Sequence, residues 1–311
     1  MENTKEEKMN SNDYLTATGI IEYNMTNDYM FRVILQENEV VLKGLISALL
    51  HYDKDFIKSV EIKNPIILGE NIDEKTYVLD ANVLLNDDTV LNLEMQMLDL
   101  RNWTDRALNY ICRNFSHLQK GHRYTEAKSV IHIGFLNYSL FPEHPEFYAT
   151  YMMLNVKNHQ LFSSKIRIGV VNLNQTELAT EEDRFYGIDK WVSLFKSKTW
   201  EELRMIANEN PELLEATKSL YQYNNEETIR YQCYAREDYK KLMNTIRRTE
   251  KEQAEQLEAQ AEKLGEQAEQ LEAQAEQIET QAEQIEGLET QVAERNAYIK
   301  ELEEKLALLS K

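Results

Sequence analysis

Residues 79–97 read LDANVLLNDDTVLNLEMQM, two apolar runs on either side of a turn-forming NDDT. With the period of two that strands impose, Leu79, Ala81, Val83 and Leu85 share one face of the first run. Asp80 and Asn82 fall on the other face. In the second run Leu91, Leu93, Met95 and Met97 lie together, with Asn92, Glu94 and Gln96 opposite. The stretch predicts a β-hairpin with one apolar and one polar face. Both apolar sets must reach the same core, because a slip of one residue turns every side chain over. That parity requires an odd loop, such as the three residues 86–88, and sets Asp80 almost opposite Glu94.

Opposed carboxylates destabilise a sheet. A cation between them removes that cost, and Mg²⁺ takes oxygen ligands, commonly one or two carboxylates with water and substrate phosphate. One reading of the polar face is therefore a metal-dependent phosphodiesterase site. The other is a solvated face, the ordinary state of antiparallel sheets. The pattern alone admits both.

Outward from the hairpin, the chain reads as helices around strands. Thr26-Asn27-Asp28 is a helix start, followed by apolar residues at helical spacing from Met30 to Leu50, broken near residues 36–39. Asp28 is either the cap of that helix or a further acid near the hairpin. After the hairpin, residues 103–119 predict a helix with Trp103, Leu108, Ile111, Cys112, Phe115 and Leu118 as its apolar stripe. Arg106 and Tyr110 lie one turn apart on it. Strands are expected at 128–138, 147–155 and 165–173, the last two paired. Short helices follow from Ile188, one starting at Asn210-Pro211.

The 311 residues are 42% hydrophobic, enough for a sizeable core, and carry a formal charge of −19. That balance argues against a protein coating nucleic acid over its whole surface, while leaving room for a local basic cleft. Residues 250–311 hold 17 acidic and 6 basic residues, so much of the charge lies outside the globular part. Two distant cysteines, Cys112 and Cys233, suggest neither a disulfide framework nor a zinc cluster. With no apolar run of membrane-spanning length and no signal-like start, the expected setting is the cytoplasm.

The last part is a repeat. Ala254, Ala261, Ala268, Ala275 and Ala282 hold one heptad position, and Leu257, Leu264, Leu271, Ile278 and Ile285 the other. This strict alternation predicts a left-handed coiled coil and self-association through residues 250–311. Leu288 comes three residues after Ile285 rather than four, a stammer beside Gly287 expected to overwind or interrupt the coil. The domain plan is a disordered leader 1–18, a core 19–185, a helical extension 186–249 and the repeat 250–311.

NDYMFRVI (27–34), VLDANV (78–83), NLEMQM (92–97), RALNYICRNF (106–115) and the segment 121–124 together resemble the Rpn-like, transposase-associated branch of the PD-(D/E)xK nuclease superfamily. The likeness spans about residues 23–251. It implies an α/β (α+β) fold with a restriction-endonuclease-like core of helix, three antiparallel strands, helix and strand, then a helical part and a long coiled-coil helix. It also implies a Mg²⁺-dependent DNA endonuclease linked to recombination or mobile elements, with Mn²⁺ the other candidate ion. Asp80, Glu94 and Gln96 match the catalytic positions. Asp80 and Glu94 would hold the metal, with Asp28 as a further ligand. Gln96 stands where most of the superfamily has lysine, as is common in this branch. A neutral amide orients by hydrogen bonding and supplies no charge. Arg106, Tyr110, Lys120 and Arg123 are the expected DNA contacts. No acid is spaced as an RNase-H-like transposase requires, and no helix-turn-helix or zinc module appears. The competing reading is a catalytically weak assembly module working through its coiled coil.

Overall fold

The structure, a computed structural model, describes residues 13–63, 66–67, 77–78, 81–86, 88–115, 121 and 123–309. Among these the strands are β1 (Val60–Ile62), β2 (Ile66–Ile67), β3 (Tyr77–Val78), β4 (Ala81–Leu85), β5 (Thr89–Gln96), β6 (Ser129–Leu136), β7 (Tyr148–Leu154) and β8 (Leu161–Asn172). The helices are α1 (Asp28–Glu37), α2 (Glu39–Leu50), α3 (Trp103–Phe115), α4 (Glu181–Tyr186), α5 (Ile188–Lys196), α6 (Trp200–Ala207), α7 (Pro211–Asn224) and α8 (Glu227–Leu309).

The hairpin obeys the parity read from its sequence. Ala81 pairs with Leu93 and Leu85 with Thr89, leaving the three residues 86–88 as the loop. Asn86 takes the left-handed conformation there, φ 48°, which asparagine tolerates better than most residues. Its side chain also anchors the loop. The amide oxygen accepts from the N–H groups of Lys58 and Ser59, and the amide nitrogen donates to the Phe56 carbonyl.

The hairpin lies inside a six-stranded sheet ordered β1-β4-β5-β6-β8-β7. The pairs from β1 to β5 are antiparallel, β5, β6 and β8 run parallel, and β7 returns antiparallel on β8. β2 and β3 form a separate pair. With α1, α2 and α3 this is the expected helix, three antiparallel strands, helix and strand, extended by β7 and β8. One face carries the core. Val83, Leu85, Leu91, Leu93, Met95, Ile133 and Phe135 pack there against α1, α2 and the helices after β8. Phe31, Phe135 and Phe195 meet edge-on at 5.4–5.6 Å, tying α1 and α5 to β6.

The parallel pairing of β5 and β6 needs a crossover, and α3 supplies it on the other face. Trp103 and Ala107 pack there with Leu136, Ala149 and Val170. Gly134 makes this possible, since a Cβ at that position would come within 2.3 Å of Trp103 Cζ2. The helix uses only part of the stripe expected of it: Trp103 and Ile111 are buried as expected, and Leu118 lies outside the described residues. Leu108 and Cys112 are exposed, and the buried positions are Trp103, Ala107, Tyr110, Ile111 and Asn114. The hydrophobicity of Leu108 and Cys112 pointed to the wrong side, because the sheet needs a small residue at 107 and a wide ring at 110.

Three further features bear on the domain plan, and residues 1–12 of the expected leader lie outside the described residues. Residues 13–18, read as part of a disordered leader, are held in place. Tyr14 is buried, and Arg204 donates to the carbonyls of Tyr14 and Ala17. Further on, Asn224 exchanges hydrogen bonds with the backbone of Tyr23, and Asn27 donates to the Cys233 carbonyl at 3.0 Å. Asn27, not Asp28, caps α1, accepting from the N–H groups of Tyr29 and Met30. At the other end, α8 is one helix of 83 residues, continuous through 249/250, Gly265 and Gly287. The chain divides into two units at Lys241/Leu242.

Gly134→Ala should displace Trp103 and destabilise the fold by about 1–3 kcal/mol, the usual range for overpacking. Urea unfolding of the variant beside the wild type measures this.

Candidate active site

β5 delivers two candidate side chains to the α3 side. Glu94 and Gln96 are two residues apart and so share a face, the one opposite Leu93 and Met95. α3 returns over them after a turn at residues 97–102. In it Arg101 is left-handed, φ 52°, and its N–H donates to Asp99 Oδ1. The return brings Arg106 onto the strand. One guanidinium nitrogen, Nη2, donates to Glu94 Oε1 at 2.5 Å and to Gln96 Oε1 at 2.6 Å. Gln96 is itself oriented, because its Nε2 donates to the Leu98 carbonyl at 2.7 Å. The amide therefore presents its oxygen to the arginine.

This polar face is not solvated. Glu94 is 6% exposed, and Asn92 and His132 are fully buried. Asn82, Asn92 and His132 lie side by side across β4, β5 and β6. Trp103 and Tyr110 of α3 cover His132, their ring centroids 5.6 and 5.4 Å from it. Among the described residues several polar atoms in this layer have no hydrogen-bond partner: Glu94 Oε2, both amide atoms of Asn92, both ring nitrogens of His132, and Trp103 Nε1. Each buried, unpaired polar atom costs about 1–3 kcal/mol, and a charged one more. So dense a set marks a site held for something other than stability.

The candidate residues distribute unevenly. Glu94, Gln96, Arg106 and Tyr110 form one group. Tyr110 is 4% exposed with its ring against His132, so it walls the site and leaves little surface for stacking on a base. Asp28 begins α1, whose buried residues pack on the opposite face of the sheet, and its Oδ2 lies 3.7 Å from Arg236 Nε. Arg123 is exposed and pairs with Glu126 at 3.3 Å. Asp80 and Lys120 lie outside the described residues. His132 and Asn92 carry more of the site than their sequence suggested. The available signal was the alternation in SVIHIGFL, where one histidine interrupts a strand that is otherwise apolar or glycine on both faces after Ser129.

The donor set fits a hard divalent ion in kind. Glu94 Oε2 is a buried carboxylate oxygen without a hydrogen bond, and Gln96 adds an amide oxygen nearby. Among the described residues no group of three His, Cys, Asp or Glu side chains gathers to hold a metal. Glu94 thus needs a further carboxylate from beyond them. Because Glu94 and Arg106 are both mostly buried, removing one partner should cost more than removing both. Arg106→Met alone is expected to destabilise by roughly 1–3 kcal/mol. Adding Glu94→Leu should recover part of that loss, as thermal melts across the double-mutant cycle would report.

No curated protein and no solved structure matches this chain. A family does: residues 25–248 match the PD-(D/E)XK nuclease family transposase. That stretch takes in the hairpin, α3, β6 and the helices behind the sheet, most of the chain. The chain belongs to the PD-(D/E)XK nuclease family transposase family.

Proposed function

We propose that this nuclease-family chain is a DNA endonuclease that hydrolyses phosphodiesters with a divalent ion, Mg²⁺ or Mn²⁺, held by Asp80 and Glu94. The supporting observation is the clamp of Arg106 on Glu94 Oε1 and Gln96 Oε1 at the mouth of a buried polar layer. Such an ion, when bound, supplies Lewis-acid chemistry: it activates water and offsets charge on the scissile phosphate.

The chain's own residues do the rest. Glu94 presents a carboxylate whose orientation is fixed by the arginine. Gln96 has neither a charge nor an ionisable proton to transfer, and its role is to hold the guanidinium in plane through its oxygen. Arg106, 19% exposed, is the cation that meets the substrate, because a guanidinium can fork onto two phosphate oxygens. The positive charge absent at position 96 is thus supplied from α3. Arg123 and Lys120 remain candidates for tracking the backbone. Unpaired cysteines at 112 and 233 suit a reducing, cytoplasmic setting, and among the described residues no helix is long and apolar enough to cross a membrane. A role in recombination or at mobile elements agrees with the family's description.

Purified protein given Mg²⁺ or Mn²⁺ should nick supercoiled plasmid. Asp80→Ala and Glu94→Ala should each reduce nicking at least a hundredfold while leaving the far-ultraviolet spectrum unchanged. Full activity in both variants would reject this site.

Self-association is the second part of the reading, and a distinct observation favours it. Within residues 242–311, Leu257, Leu264, Leu271, Ile278 and Ile285 recur every seventh residue on α8 and are 58–67% exposed. A row of that length without cover is the seam of a coiled coil. The assembly-module alternative puts all function in that seam. Ending the chain after Arg248 separates the two. We expect a monomer by light scattering that still nicks plasmid. Loss of nicking together with oligomerisation would favour the assembly module.

A further inference from the structure

The Arg106 clamp accounts for one oxygen of Glu94. The other, Oε2, is buried and has no hydrogen-bond partner among the described residues, and His132 Nε2 lies 3.5 Å from it. That nitrogen is likewise buried and without a hydrogen-bond partner among the described residues. Three constraints keep the two atoms facing each other. His132 sits on β6 opposite Asn92 in parallel register, one step along the same face from the Glu94–Gly134 pair. Gly134 contributes no side chain between them. The Trp103 and Tyr110 rings close over the imidazole, and its complete burial leaves water no approach from outside.

We infer that His132 is a positioning residue for Glu94, its Nε2–H directed at Glu94 Oε2 so that the carboxylate is held from both sides, by Arg106 and by the histidine. The inference rests on the reading of Glu94 as a ligand in a nuclease site, and assigns to β6 the part of that site that orients the carboxylate. At 3.5 Å the contact is longer than a formed hydrogen bond. Catalytic hydrogen bonds are commonly long before ligands are bound and tighten afterwards. The residue type is specific. A donor is needed at the Nε2 position, which glutamine reproduces with its terminal amide nitrogen and asparagine, one carbon shorter, does not.

The test uses the full chain with His132→Gln and His132→Asn. Mn²⁺ affinity of the DNA-free protein is read by calorimetry, and nicking as kcat and KM. His132→Gln should keep the Mn²⁺ Kd within about threefold of wild type. His132→Asn should weaken it by about 10–100-fold, as losses around a ligand's supporting shell do, with a matching fall in kcat and little change in KM for plasmid. Equal behaviour of the two variants, whether both intact or both impaired, overturns the inference. A measurement on wild type does not depend on the variants folding. Proton–nitrogen correlation spectra should show the His132 imidazole carrying hydrogen on Nε2, with that proton shifted by Glu94→Gln. A bare Nε2 overturns the inference. If Mn²⁺ does not bind and no nicking occurs, yet the Nε2–H signal responds to Glu94→Gln, the positioning contact stands and the nuclease reading fails.

Discussion

The structure depends on the alternation of side chains along β4 and β5. A strand can serve a core on one face and a site on the other only if no residue is gained or lost between them. Here Leu91, Leu93 and Met95 enter the main core while Asn92, Glu94 and Gln96 face α3. The same eight residues therefore do two jobs, and the loop at 86–88 keeps the two strands in step. Everything that covers either face, from the Phe31, Phe135 and Phe195 rings to Trp103, is arranged around that division.

The buried polar layer is the part of the molecule that runs against ordinary folding economy. A face lined by Val and Leu would be more stable than one holding Asn92, Glu94 and His132 out of water. Natural chains keep such a layer where fixed dipoles and charges are needed in a site of low dielectric, where each acts more strongly than it does in water. Glu94 is held there by an arginine from α3 and faces a histidine from β6. Neither element follows β5 as a simple hairpin partner. The carboxylate thus meets two segments of chain besides its own strand.

How much of this was legible in the sequence follows from the range of each interaction. The parity of the hairpin, the odd loop, the start of α1 at Asn27 and the start of α7 at Asn210-Pro211 are local, and local patterns record them. The grouping of Glu94 and Gln96 was legible for the same reason. That the polar face is dry was not, because it depends on α3 folding back through residues 97–102. His132 went unnoticed since one histidine in a strand has no period of its own. Leu108 and Cys112 misled because hydrophobicity alone does not say which side of a helix a sheet can approach. The order of residues 13–18 was hidden because Arg204, which holds them, lies some 190 residues away.

That last distance bears on how the protein is made. Tyr14, Ala17, Tyr23 and Asn27 all find partners among residues 204–237. At synthesis rates of about 5–20 residues per second, Asn27 leaves the ribosome roughly 10–40 s before Cys233 exists. During that interval α1 has its cap but no C-terminal neighbour, and its apolar face must rest on an unfinished core. Residues 14–27 are among the last to complete their native contacts. Until α8 begins to emerge, the hydrogen bonds that tie residues 14–27 to residues 204–237 cannot all be made.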